Sequence, residues 1–146
     1  MFIADAAWVA TAVLQQERPD EDFSLQEISA KAAALGFTKK SVYAHLHGHA
    51  VANRKPDGGH YRMLFESAPK RRRLYRPGDP CDPNRKGKIT PKREDLPDRW
   101  RDLLRWYESW AQRQRPDPLR SLWGTGRKIW ADEPADAYVE RLRSQW

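Results

Sequence analysis

A single cysteine, Cys81, stands in a chain of 146 residues, which excludes an internal disulfide and any zinc site made from several thiolates of one chain. That scarcity fits a reducing compartment. Long apolar runs are missing as well. No stretch approaches the roughly 18 residues that a membrane span requires, and the first residues lack a basic region followed by a hydrophobic signal. A cytoplasmic protein that does not meet a membrane is therefore expected. Catalytic motifs are equally scarce: there is no Gly-X-Ser-X-Gly, no glycine-rich phosphate loop and no motif of paired catalytic carboxylates. Nothing supports an enzyme, and no cofactor is implied. Cys81 lies among prolines, with no basic neighbour in sequence nearer than Arg85, so its thiol has no evident activating group.

Positive charge is what the chain has in excess, with 27 Lys and Arg against 20 Asp and Glu. The excess is local. Residues 1–35 carry 2 basic and 6 acidic side chains, residues 36–101 carry 17 and 7, and residues 102–146 carry 8 and 7. Concentrated central charge is the footprint of a protein that meets phosphate, although charge alone does not separate DNA from ribosomal RNA or an anionic membrane. Hydrophobic residues make up 39% and charged residues 32%, and the mean hydropathy is −0.93. Those values and the length suit one globular core with polar extensions, not two ordinary domains.

Apolar positions Ile3, Ala6, Ala7, Ala10, Val13 and Leu14 trace one face of a helix ending near Gln16. After Pro19 and the acidic run Asp20–Asp22, Ser24-Leu25-Gln26-Glu27 reads as a capping box that opens a second helix ending at Gly36. Thr38 opens a third, with Val42 and Leu46 inward and Gly48 at its end. Lys55-Pro56-Asp57-Gly58-Gly59 is turn chemistry. Tyr61, Met63 and Phe65 then alternate with Arg62, Leu64 and Glu66 as in a strand that buries one side, and residues 73–76 form the return strand after a cationic turn. Residues 78–97 hold prolines at 80, 83, 91 and 97 and read as a surface loop. Trp100, Leu103, Leu104, Tyr107 and Trp110 stripe a helix from Asp98 to about Arg113, which packs on its own domain or on a second copy.

Three helices followed by a basic hairpin resemble a winged helix-turn-helix DNA-binding domain over residues 1–77, a mainly α fold with a small β-hairpin wing (α+β). The third helix would enter the major groove of double-stranded DNA. With Val42 and Leu46 in the core, 100° per residue leaves Lys39, Lys40, Tyr43 and His47 for the exposed face. The lysines suit phosphate, whereas Tyr43 and His47 suit base edges or sugars. Lys70, Arg71, Arg72 and Arg73 would form the wing tip, since four adjacent cations repel and are rarely placed together for stability. His45 and His49 share a helical face at a zinc-like spacing, but His47 points elsewhere and no HExxH glutamate accompanies them, so no metal is expected.

The last segment is a greasy helix on a glycine joint. Asp132 is its N-cap, Pro134 lies in the first turn, and Ala135, Tyr138, Val139, Leu142 and Trp146 recur at helical spacing. So short a helix is marginal alone and needs a surface to cover it. Gly124-Thr125-Gly126-Arg127-Lys128, Trp130-Ala131-Asp132, Asp136, Tyr138-Val139, Leu142-Arg143 and Trp146 resemble the toxin-binding segment of VapBC-type antitoxins. The resemblance implies an arm, residues 119–146, that neutralises a PIN-type ribonuclease toxin, with the DNA-binding domain repressing the operon. It further implies that Arg127 or Lys128 reaches the acidic site of the nuclease, and that Trp130, Tyr138, Leu142 and Trp146 anchor the contact. Such arms more often follow a swapped-hairpin barrel than a winged helix. The alternatives are a plain winged helix regulator whose terminal helix docks on itself or on a dimer mate, and a nucleic-acid-binding accessory subunit of a processing enzyme.

Overall fold

The computed structural model describes residues 1–113 and 135–144. The chain divides into two compact units, Met1–Arg113 and Gln114–Trp146. The first begins with helix α1 (Ile3–Glu17), strand β1 (Phe23–Ser24), helix α2 (Leu25–Ala34) and helix α3 (Lys39–Ala44), which continues as a π-helical turn over His45–His49. Strands β2 (Leu64–Ala68) and β3 (Arg71–Leu74), two 3-10 turns (Arg93–Asp95 and Asp98–Trp100) and helix α4 (Asp102–Arg113) complete it. In the second unit, helix α5 spans Ala135–Ser144. About half of the described residues are helical, and one small antiparallel sheet of order β1-β3-β2 accompanies them, an α+β arrangement.

Helix α1 forms the centre of the first unit. One apolar face was expected, but the helix is buried nearly all round: Ala4, Asp5, Trp8, Val9, Thr11, Ala12 and Gln15 join Ala6, Ala7, Ala10 and Leu14, while Ile3 is exposed. Its many alanines explain this, because small side chains let α2, α3, β3 and α4 all approach closely. Burial of Gln15 is offset by hydrogen bonds. Its Nε2 donates to the carbonyls of Arg18, Pro19 and Glu21 at 3.2, 2.9 and 2.7 Å, and its Oε1 accepts from the Leu74 amide at 3.4 Å.

The capping box is formed as expected. The Ser24 hydroxyl accepts from the Glu27 amide at 3.1 Å, and the Glu27 carboxylate accepts from the Ser24 amide at 2.8 Å. Gly36, at φ +89°, takes the left-handed conformation that ends the helix. Strand β1, which the sequence pattern does not predict, is only the two residues before helix α2; Phe23 pairs with Arg72 and Ser24 with Arg71.

The hairpin buries Met63 as expected but departs from the expected phase at Leu64 and Phe65. Leu64 and Leu74 are paired and fully buried, and Glu66 opposite Arg72 follows them on the same face. Phe65 and Arg73 pair on the other face, where the guanidinium lies 4.3 Å from the ring centroid. An aromatic that suggests a core position is therefore covered by a cation. The turn is only Pro69-Lys70, with Lys70 at φ +61°, so the three arginines are strand residues.

Residues 78–97 carry little regular structure, yet Arg85 and Leu96 are buried beneath the surface that this stretch covers. Helix α4 turns its stripe onto its own unit. Tyr107 meets Trp8 edge-on at 5.7 Å and donates its hydroxyl to the Tyr75 carbonyl, and Trp110 Nε1 donates to the Pro19 carbonyl at 3.0 Å. Burial raises the Tyr107 phenol well above its ordinary pKa. Residues 78–113 are thus part of the same compact unit as residues 1–77. Among the described residues no helix is long and apolar enough to cross a membrane.

Candidate nucleic-acid interface

The site is organised around α3 and the turn that follows it. Val42 and Leu46 are buried, which leaves Lys39, Lys40 and Tyr43 exposed, Tyr43 to 46%. His47, one turn beyond Tyr43, packs its ring against the tyrosine with centroids 4.4 Å apart. Among the described residues this is the one pair of expected contact residues in direct ring contact. His45 and His49 also meet edge to face at 5.2 Å, but among the described residues no group of three His, Cys, Asp or Glu is placed to hold a metal ion.

A helix end leaves carbonyls without intrahelical partners, and here arginines take them one after another. Leu46 O accepts from Arg72 Nε at 3.0 Å and His47 O from Arg54 Nη1 at 2.5 Å. Gly48 O and His49 O accept from the two terminal nitrogens of Arg85 at 2.6 and 3.1 Å. Arg85, 2% exposed, also donates to the carbonyls of Arg54, Lys55, Gly59 and Tyr61. The guanidinium charges face the negative end of the helix dipole, so they cap it electrostatically as well as by hydrogen bonding.

This arrangement revises the cationic tip. Arg72 is 1% exposed, paired with Glu66 and bonded to Leu46 O, so it is withdrawn from the candidate DNA contacts. Burial lowers its pKa, with Glu66 opposing, and an arginine keeps its proton under such conditions. Arg73, expected at the same tip, holds Asp79 in a two-pronged pair at 2.7 and 2.8 Å and covers Phe65. Arg71 is more open but is engaged by Asp22 at 2.5 Å. Lys70 alone of the four is an exposed turn residue, with no ion pair among the described residues. Charge repulsion within the run is removed because strand alternation and separate carboxylates part the three arginines.

Two cations that the sequence pattern does not single out lie beside the end of α3. A cleft of about 530 Å³ is lined by His47, His49, Arg54, Lys55 and Asp57, with Ala44 and Gly48 behind. Its wall requires glycine: a Cβ on Gly59 would come within 2.6 Å of the His49 carbonyl, and Gly58 adopts φ +74° beside the His49 ring. The one signal in the sequence is the adjacency of Arg54-Lys55 to the Gly58-Gly59 turn, and by itself it reads as turn chemistry.

Arg127, Lys128, Trp130 and Trp146 lie outside the described residues, and Tyr138 and Leu142 fall within α5. Comparison of the chain with protein-family models, with curated proteins and with solved structures finds no match.

Proposed function

We propose that Met1–Arg113 is a winged helix domain that binds double-stranded DNA, with α3 as recognition helix and the β2–β3 hairpin as wing. The observation that carries the reading is the division of α3: Val42 and Leu46 are buried, while Lys39, Lys40 and Tyr43 are presented to solvent at its open side. The order α1-β1-α2-α3-β2-β3 and the sheet order β1-β3-β2 support it, because they place a helix-turn-helix pair directly before a hairpin. The wing is short and offers Lys70 and, in part, Arg71. No catalytic step is assigned to the protein.

A second element of the proposal concerns the C-terminal unit, which we take as an arm that neutralises a PIN-type ribonuclease and leaves the body free to act at its own operon. Its support is the resemblance of residues 124–146 and the division of the chain into two units, with a helix, α5, in the second. Ending the chain at Leu119 is expected to abolish protection of cells that express the neighbouring nuclease without weakening DNA binding. Equal protection by both chains contradicts the arm.

Fluorescence anisotropy of labelled duplexes tests the body. B-form DNA admits a helix into its major groove, and A-form RNA does not. The full chain should therefore bind duplex DNA at least about tenfold more tightly than duplex RNA, and equal affinity for the two would contradict a groove-reading α3.

A further inference from the structure

The cleft beside the end of α3 shares only His47 with the candidate groove contacts, and its composition is that of an anion site. Arg54 and Lys55 supply two cations, and His47 and His49 supply imidazoles, against one lining carboxylate, Asp57. Glu66 lies 3.9 Å from Arg54 Nε, at the far edge of the guanidinium. The Lys55 side chain is exposed and has no hydrogen bond or ion pair among the described residues. Arg54 is oriented in advance, because its Nη1 is bound to the His47 carbonyl at 2.5 Å while its backbone carbonyl is held by Arg85 at 2.6 Å. Arg85 also holds the carbonyls of Gly48, His49, Lys55 and Gly59, so both walls are pinned to one buried side chain. A cleft whose walls are held in place in advance loses little entropy when it takes a ligand.

We infer that this cleft is a phosphate-binding site, with the Arg54 guanidinium and the Lys55 ammonium as its charged donors. A volume of about 530 Å³ falls in the range of small-molecule sites and exceeds what a bare ion fills, so the phosphate is carried on a larger molecule. Two sources share that chemistry: a free mononucleotide, and the backbone of a bound nucleic acid. Asp57 serves either, as an acceptor for a hydroxyl or amino group beside the phosphate rather than for the phosphate itself. The site does not require the duplex-binding role of α3.

The test follows the ring resonances of His49, the cleft imidazole that is not a candidate groove contact, by NMR in the full chain during separate titrations with inorganic phosphate, adenosine monophosphate and a duplex DNA. Saturable shifts with adenosine monophosphate, and weaker ones with phosphate, identify a free nucleotide as the source. Shifts with the duplex alone identify the backbone. In either case Arg54→Gln should weaken the responding ligand about tenfold, the scale of one charge-assisted hydrogen bond. Lys55→Gln, which alters only an exposed side chain and leaves the fold untouched, should weaken it severalfold, and Lys92→Gln, away from the cleft, should not. Absence of shifts with all three ligands, or an unchanged response in Lys55→Gln, overturns the inference. Failure of groove reading alone would leave the adenosine monophosphate response in place.

Discussion

His45 shows how one side chain in α3's closing turn ties folding to pH. Its Nδ1 is buried with no hydrogen-bond partner among the described residues. Burial lowers its pKa, the neighbouring His49 lowers it further, and Asp5 opposes them. The unfolded chain therefore binds the proton more readily than the folded one. Stability from this group is complete above the unfolded value, about 6.5, and is lost as pH falls through the folded value. The urea midpoint is expected to drop between about pH 7 and 5, and His45→Leu should flatten that step. An identical drop in the variant would place its origin elsewhere. Glu27 and Asp22 are held below their ordinary values chiefly by the Ser24 amide and the Ser67 hydroxyl, so they contribute a separate loss at pH below about 4. Ser24 and Glu27 are legible in the sequence because a cap is local, four residues long and chemically specific. Arg72 and Arg85 are not, because their long-range partners are carbonyls 24 to 37 residues away and a carbonyl leaves no mark in a sequence.

Among the elements, α2 is legible nearly to its ends because period and cap both lie within it, whereas the helix expected from Asp98 starts as a 3-10 turn and becomes α4 only at Asp102. The hairpin is legible in place but only partly in phase: Met63 is buried as its pattern suggests, whereas Phe65 resembles a core residue until Arg73 is seen to cover it. Residues 78–97 have the composition of a loop over a surface, and nothing in that composition hints that Arg85 passes inward to anchor the end of α3. These contacts bear on where the folding unit ends. Trp8 requires Tyr107, Pro19 O requires Trp110, and the carbonyls of Gly48 and His49 require Arg85. A chain ended at Pro77 exposes α1 and orphans several buried acceptors, each worth about 1–3 kcal/mol. By circular dichroism, residues 1–113 should unfold cooperatively in urea and residues 1–77 should not. A cooperative transition of similar midpoint in the shorter chain would contradict a structural role for residues 78–113.

Across the whole molecule, the central excess of positive charge has two destinations. Arg72, Arg73, Arg85 and Lys88 are spent on carboxylates or carbonyls of the same unit, among them the buried Asp5, which Lys88 meets at 2.7 Å, while Arg54 and Arg71 hold such groups and stay exposed. Lys39, Lys40, Lys55 and Lys70 face solvent, as do Lys86, Lys92, Arg93 and Arg99. Net charge therefore overstates the cationic surface, and the part left for a nucleic acid is smaller than composition suggests. The candidate contacts on α3 are legible because helical angles follow from sequence once Val42 and Leu46 are taken as core. The cleft is not, because it joins α3 to a loop across a turn.

The central claim is that α3 meets DNA phosphates through Lys39 and Lys40. The most direct measurement is the salt dependence of duplex binding by the full chain and by its Lys39→Ala/Lys40→Ala variant, read by anisotropy from low to physiological salt. Each lost phosphate contact lowers the slope of log K against log salt by about 0.9. A slope smaller by about 2 in the variant, with weaker binding to every duplex tested, is the expected result. Equal slopes and affinities for the two proteins would contradict the claim.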